Sequence, residues 1–222
     1  MSLTRLARVG TFAVVVGLGA SACSSSSGSS AAPVSTSATS TSGSTSSSVT
    51  SASSAAGGAQ TPVPVESNPP GDIPDNLAFV PYTNAAAGFS FTHPEGWAEQ
   101  ENGAAVTFTD KLNGISADTA SIPPQLDEAT VRAQEVPRLS GSEAAFELTS
   151  VAPASLPAGN GVLIVYRRNS APDPVTGRQV RAEVQEYLVS KGTSSVRLAL
   201  FGPVGADNVD AYRTIAQSLA LR

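Results

Sequence analysis

A long run without charge or large apolar side chains limits where this chain can fold. No Asp, Glu, Lys or Arg stands between Arg8 and Glu66, and residues 24–60 contain no Leu, Ile, Phe, Tyr or Trp. Such a segment cannot bury enough apolar surface to offset the entropy lost on ordering it. The sequence therefore predicts that the folded part of this 222-residue chain lies after the run.

The N-terminus has the anatomy of a secretory signal peptide. Arg5 and Arg8 precede a short apolar stretch over residues 9–20, which is too short for a comfortable membrane span. The small residues Ala20, Ser21 and Ala22 then lead to Cys23, the only cysteine. These features predict that residues 1–22 are removed from the mature protein.

The run Ala20-Ser21-Ala22-Cys23 resembles a bacterial lipobox. The resemblance implies cleavage between Ala22 and Cys23 and acylation of the Cys23 thiol. Two or three acyl chains anchor a protein stably, so we expect a lipoprotein at the outer face of the bacterial cell membrane. The alternative is an ordinary secreted protein that is cleaved near Ala22 and keeps Cys23 as a free thiol.

Residues 23–75 are predicted to form a disordered linker, and residues 76–222 a folded domain. The second part of the linker, residues 61–75, is rich in proline and therefore stiffer and more extended than the first. The Ser and Thr density before it is compatible with O-glycosylation or with a plain uncharged spacer. About 145 residues is a common size for one domain with one core.

The charge balance argues against nucleic acid as a partner. The chain has 13 basic and 18 acidic residues, and removing Arg5 and Arg8 with the signal peptide takes the net charge from −5 to −7. Nucleic acid binding depends on neutralising phosphates with basic side chains. An acidic surface is also a poor match for anionic lipid, so we expect the membrane contact to be the acyl anchor.

Within the predicted domain, strands outnumber helices. Apolar residues suggest strands at 78–82, 88–92, 105–109, 114–121 and 144–151. Helical spacing of apolar residues from Leu126 to Val136 predicts a helix that Pro137 ends.

The last third of the chain carries the clearest pattern. Strands predicted over 161–168, 180–185 and 196–201 follow one another as an antiparallel meander, with a turn-rich loop at 172–177. Residues 206–221 are predicted to form an amphipathic helix that Asp207 caps. The sequence therefore predicts an α+β domain in which an antiparallel sheet is flanked by helices.

Two motifs resemble a known family. Tyr82 followed by Gly88-Phe89-Ser90-Phe91-Thr92-His93-Pro94 and Trp97 resembles the opening hairpin of PsbP-like domains, and the segment from Phe201 through the last helix resembles their ending. A lipidated version on a Ser/Thr-rich linker is similar to LpqN-type lipoproteins of mycobacteria. The resemblance implies an α/β/α sandwich and a role as a binding or accessory module.

No catalytic set is evident in the sequence. His93 is the only histidine and no Gly-x-Ser-x-Gly elbow occurs, so we expect His93 to be a strand-end residue beside Pro94 and Trp97. Neither a cofactor nor a metal is expected, because zinc sites need several Cys or His ligands. The acidic residues at 207 and 210 are explained by a helix N-terminus.

Two groups of charged residues are candidate binding sites. Glu95, Glu99 and Glu101 surround Trp97 and could form a sugar platform, although a solvated turn with Trp97 in the core is the simpler interpretation. The only basic concentration, a candidate surface for an anionic partner, surrounds the predicted hairpin and comprises Arg167, Arg168, Arg178 and Arg181. Cross-strand ion pairs with Glu183 and Glu186 are the alternative account.

These observations favour a non-enzymatic, lipid-anchored binding module whose partner is an envelope protein or a cell-wall component. The second hypothesis is a carrier of a lipid or other hydrophobic ligand, which requires an enclosed apolar cavity of several hundred Å³. The third is a cell-wall hydrolase or esterase, which requires a cleft that brings Glu99, Glu101 or His93 next to a serine.

Overall fold

A computed structural model of the chain describes residues 60–67, 70–119, 122–123 and 125–222. The predicted signal peptide, Cys23 and the linker up to residue 59 lie outside the described residues. Within the described ranges the chain forms ten strands and two helices. In chain order they are β1 Phe79–Asn84, β2 Phe89–Pro94, β3 Ala98–Asn102, β4 Ala105–Asp110, β5 Asn113–Asp118, α1 Glu128–Ser142, β6 Glu147–Leu156, β7 Gly159–Asn169, β8 Arg181–Lys191, β9 Ser194–Pro203, α2 Val209–Ser218 and β10 Ala220–Leu221.

The strands form two antiparallel sheets. The larger sheet has seven strands in the order β3-β4-β5-β9-β8-β7-β6, and the smaller has three in the order β1-β2-β10. The predicted meander of the last third is confirmed, since β7 pairs with β8 and β8 with β9 in antiparallel register. The predicted α+β class, an antiparallel sheet flanked by helices, is likewise confirmed.

Side-chain alternation gives the large sheet two different faces. Along β9, Val196, Leu198 and Leu200 point into a core that they share with the small sheet and α2. Ala199 and Phe201 point to the opposite face, where α1 packs through Val131 and Leu139, among others, against β6, β7 and β8. Residues along a strand alternate between faces, so each apolar run of the meander supplies both cores.

The first helix continues beyond the residue that was expected to end it. Pro137 lies inside α1, which runs to Ser142. Proline removes one helical hydrogen bond and usually kinks or ends a helix. Here the turn after Pro137 is stabilised by Leu139, which is 1% exposed, and by a hydrogen bond from the Glu143 N–H to the Leu139 carbonyl at 2.8 Å.

No pattern in the sequence predicts β3. All five of its residues are exposed, and it lies at one edge of the seven-stranded sheet. A strand that buries neither face shows no apolar alternation, so this segment was expected to be a solvated turn. The short strand β10 also differs from the prediction. It pairs with β2 after α2 ends, whereas the sequence predicted helix up to residue 221.

The segment before β1 packs against the domain, although the composition suggested a linker up to residue 75. Ile73 is 5% exposed and belongs to the core that includes α2. Its N–H donates to the Oδ1 atom of Asn208 at 2.7 Å. Asn208 is the N-cap residue of α2, in place of the expected Asp207, and its side chain makes no capping bond to the helix. Its amide binds the incoming segment instead.

We predict that Ile73→Ala lowers the free energy of unfolding by about 2–5 kcal/mol, because the substitution leaves a cavity in a closed core. Urea-induced unfolding followed by tryptophan fluorescence measures the change. Val65→Ala is the matched control, since Val65 lies on the same segment and is 51% exposed. It is expected to change stability by less than about 0.5 kcal/mol. Equal effects of the two substitutions would contradict the packing of Ile73.

Candidate functional site

The four arginines of the predicted basic surface all have carboxylate partners within the chain. These ion pairs are Arg167–Glu183 at 3.3 Å, Arg168–Glu143 at 2.9 Å, Arg181–Glu147 at 2.8 Å and a close Arg178–Glu66 contact. The Arg167–Glu183 pair is the cross-strand pair expected from the hairpin, whereas Glu186 faces the other way and binds Arg138 and Arg197.

The four arginines differ in how far they reach solvent. The Arg181 side chain is 2% exposed, and its guanidinium donates to the Ala145 carbonyl at 2.7 Å. Burial therefore removes Arg181 from the surface that a partner could contact. Arg178 is the most exposed of the four at 67%, and Arg167 and Arg168 are partly covered.

A cleft of about 560 Å³ lies beside this group. Its floor comes from the face of the large sheet that α1 leaves open, where the Arg168 guanidinium carbon lies 5.1 Å from the centre of the Phe201 ring. The ring fits there because Gly114 on β5 has no side chain, and a Cβ at that position would overlap it. The remaining walls are the β4–β5 turn, the β7–β8 loop and the segment before β1. The lining residues used below are Glu66, Lys111, Arg168, Asp173, Arg178 and Phe201.

The β7–β8 loop that forms one wall is held in a fixed shape. The Asp173 carboxylate accepts hydrogen bonds from the Val175 and Thr176 N–H groups and from the Thr176 hydroxyl, at 2.7 to 3.1 Å. These donors hold the pKa of Asp173 below its usual value. Val175, at the tip, is 90% exposed.

Residues 60–67, which we call the arm, run beside the cleft and contribute Glu66 to its opposite wall. Asn169, 2% exposed at the end of β7, binds the arm with both atoms of its amide. Its Oδ1 accepts from the Val63 N–H at 3.0 Å, and its Nδ2 donates to the Thr61 carbonyl at 2.8 Å. Glu66 continues the contact by pairing with Arg178 across the cleft.

Two further asparagines, Asn113 and Asn208, bind the chain further along, at residues 71–73. The Asn113 Nδ2 donates to the Gly71 carbonyl at 2.7 Å, and the Asn208 Nδ2 donates to Asn113 Oδ1 at 3.0 Å. Asn113 and Asn208 are 3% and 4% exposed, respectively. Sequence analysis missed all three asparagines, because each is bound to chain that lies 42 to 135 positions away and no local pattern connects them.

A buried ionic cluster adjoins the cleft under α1. Glu186, with a side chain only 3% exposed, faces Arg197 at 3.0 Å and Arg138 at 3.3 Å, and it accepts a hydrogen bond from the Tyr166 hydroxyl at 3.2 Å. Glu135 on α1 binds the same two arginines. Burial raises the pKa of Glu186, and the two guanidinium groups oppose that rise. The cluster ties the helix to the sheet beside a cavity of about 230 Å³.

The remaining residues that the sequence suggested as functional are engaged in packing or hydrogen bonds within the domain. The His93 ring is 9% exposed and stacks on Phe108 at 3.8 Å. Glu101 accepts a hydrogen bond from the Tyr82 hydroxyl at 2.6 Å, and burial together with this carboxylate raises the pKa of Tyr82 to about 12. Trp97 is 8% exposed, so its ring does not form a surface platform.

Neither cavity is lined by His93, Glu99 or Glu101. Across the described ranges, His, Cys, Asp and Glu side chains nowhere gather in a group of three that could hold a metal ion. Neither helix in the described part of the chain has the length and apolar character needed to cross a bilayer.

Comparison with known proteins gives distant structural matches. No family model matches the chain, and no curated protein matches it in sequence. Among solved structures, the Ran-binding protein Mog1p of Saccharomyces cerevisiae matches with a TM-score of 0.43 and 7% identity, over 66% of this chain and 96% of that one. The solution structure of cyanobacterial PsbP (CyanoP) from Synechocystis matches with a TM-score of 0.38 and 15% identity, over 66% and 94%. At these values the likeness concerns the fold alone.

We predict that Arg197→Met lowers the free energy of unfolding by about 3–5 kcal/mol near neutral pH, because it leaves two buried carboxylates, Glu135 and Glu186, to share the single guanidinium of Arg138. It also raises the pKa of Glu186 further, so that the folded state holds a proton that the unfolded state releases. Stability of the variant then falls as pH rises above the usual carboxyl range and recovers on acidification. Urea unfolding at about pH 7.5 and about pH 5.5 should show the smaller deficit at the lower pH.

Arg213→Met is the matched control for this prediction. Arg213 pairs with Asp210 on the surface of α2, with side chains 64% and 76% exposed. Exposed ion pairs contribute little, so the change is expected to stay within about 0.5 kcal/mol at both pH values. An Arg197→Met deficit that is as small as the control's, or that does not shrink on acidification, would contradict the role given to the cluster.

Proposed function

We propose that this protein is a non-catalytic binding module of the bacterial cell envelope, held at the outer face of the cell membrane by acylated Cys23. The arginines at 5 and 8, the apolar stretch over 9–20 and the small residues up to Cys23 support the anchor. The resemblance to LpqN-type lipoproteins supports the same placement. The predicted linker gives the domain reach beyond the membrane surface.

The observation that carries the binding role is the 560 Å³ cleft. It combines an aromatic floor at Phe201 with the charged side chains Lys111, Arg168 and Arg178, and one wall is a fixed loop. Apolar surface with a few positioned polar groups is the usual composition of a binding site. The partner that we propose is an envelope protein or a cell-wall component, and the acidic net charge argues against nucleic acid.

The two alternative functions receive less support from the geometry. A hydrophobic carrier needs an enclosed apolar cavity, whereas the cleft has five charged residues in its lining, three of them cationic. A hydrolase needs a base beside a nucleophile, whereas His93 is packed on Phe108 and Glu101 is bound by Tyr82. Native mass spectrometry after gentle extraction tests the carrier directly, because a co-purifying lipid mass would favour it.

We predict that mass spectrometry of the mature protein finds an N-terminal peptide that begins at Cys23 and carries acyl groups. In Cys23→Ser the acyl groups are absent and the chain keeps residues 1–22, because the cleavage that a lipobox implies follows acylation of the cysteine. Ser26→Ala, in the adjacent linker, is the control and is expected to be processed like the wild type. Cleavage near Ala22 in both the wild type and Cys23→Ser, without acylation, would instead identify an ordinary secreted protein.

Partner identity is the direct test of the binding role. Photo-crosslinking in the native host, with the reactive group at the exposed Val175, is expected to join the domain to a specific envelope component. Val175 stands between the lining residues Pro174 and Thr176, whereas Val209, exposed on α2, has no residue of the cleft lining beside it in the chain, so the same group at Val209 is the matched control. Equal labelling from the two positions would contradict a binding role for the cleft.

A further inference from the structure

We propose that the edge of the cleft at Arg178, together with the adjoining amide of Asn169, is a docking site for an acidic, extended peptide segment of a partner protein, and that the arm, residues 60–67, occupies this site within the same chain as a displaceable competitor. The inference rests on the proposed binding role and names the chemistry of the partner. It is carried by the contacts of the arm, by the charge of the cleft and by the shallow burial of the arm.

The arm is held as a bound peptide would be held. Asn169 makes its two shorter bonds to main-chain groups, at Val63 and Thr61, and any extended chain offers the same N–H and carbonyl groups; a longer bond of 3.3 Å goes to the Gln60 side chain. Main-chain hydrogen bonds of this kind give affinity without requiring a particular sequence. The buried amide of Asn169 is therefore a site for extended backbone, with the arm as its present occupant.

Charge supplies the sequence preference. Glu66 is the first charged residue after Arg8, and the structure places this carboxylate on Arg178, the most exposed guanidinium of the hairpin. The occupant therefore carries an acidic side chain three positions after the residue whose N–H binds Asn169.

Displacement of Glu66 leaves the cleft positive. The other acidic lining residue, Asp173, is already bound by three donors of its own loop. Arg178 then loses its partner, and Lys111 adds a cation that is 79% exposed and only loosely paired with Asp110, at 3.9 Å. A partner segment with one or more carboxylates complements this charge, even though the whole chain is acidic.

The arm is attached weakly enough to be exchanged. Not one of its eight residues is buried, and Val65 is 51% exposed. It is held by polar contacts, in contrast to Ile73, which lies in the core. A partner segment can therefore replace the arm while the chain stays fixed at residues 71–73.

The test uses the full chain, purified in detergent, and a fluorescein-labelled peptide that copies residues 60–67. Val63→Pro with Glu66→Gln removes the arm's N–H donor and its charge, and leaves Asn169 and Arg178 intact. A site that is mostly occupied within its own chain binds an added ligand with an affinity reduced by the open fraction. The double variant is therefore expected to bind the peptide about tenfold or more tightly than the wild type, as measured by fluorescence anisotropy.

Charge reversal tests the assigned contact. Arg178→Glu in the opened variant is expected to abolish binding of the peptide, and a peptide with Arg in place of its glutamate is expected to restore it. Arg213→Glu, on the surface of α2, is the matched control and should leave binding unchanged. An unchanged unfolding midpoint verifies that each variant is folded, and Glu66→Gln alone is the milder opened form.

Two results would overturn the inference. One is equal peptide binding by the wild type and the opened variants. The other is unchanged hydrogen exchange at the Val63 N–H in Glu66→Gln, which keeps this N–H, since the proposal requires the Glu66–Arg178 contact to help hold the arm. Crosslinking of Val175 to an envelope component that persists in Arg178→Glu would keep the binding role and reject the peptide site, so the two proposals fail separately.

Discussion

A seven-stranded sheet has two faces to cover, and this constraint shapes the whole domain. One face is closed by the small sheet and α2, which share a continuous apolar core with it. The other face has only α1, a helix of 15 residues and about 22 Å, for a sheet that is about 29 Å across its strands. Part of this second face therefore needs another kind of cover.

Buried charged side chains and the segment before β1 cover the rest of this face. Glu186 and Arg197 fill the space beside α1 with a network that is closed by Glu135 and Arg138. Replacing such a network by apolar side chains often leaves the stability of a protein unchanged or increases it. The network is therefore better explained by where it holds α1 than by a contribution to stability. It ties the helix to the sheet beside the cleft.

The sequence could predict those parts of the fold in which successive residues alternate between two environments. The meander of β7, β8 and β9 was predictable because its residues alternate between two cores. β3 was not, since its residues meet solvent on both faces. Pro137 suggested a helix end, but the buried Leu139 and the pairing of Arg138 with Glu186 favour continuation of the helix, and these partners lie outside any local window.

The site was harder to predict than the fold, for a similar reason. The sequence predicted a basic surface around the hairpin, but it could not show that each arginine has a carboxylate partner or that Arg181 is buried. It also assigned residues 61–75 to a linker, because proline-rich sequence lacks apolar periodicity. The contacts that hold this segment come from Asn169, Asn113 and Asn208, which are distant in sequence and belong to no local pattern.

The position of the arm gives a physical link between anchoring and binding in the proposed function. The arm is the last part of the chain between the proposed anchor at Cys23 and the fixed point at Ile73. In the proposed exchange, a partner that displaces the arm adds its eight residues to the predicted linker. That adds about 26 Å of contour length at full extension. Partner binding would thus let the domain move further from the membrane, while a domain that stays close to the membrane keeps its own acidic arm in the site.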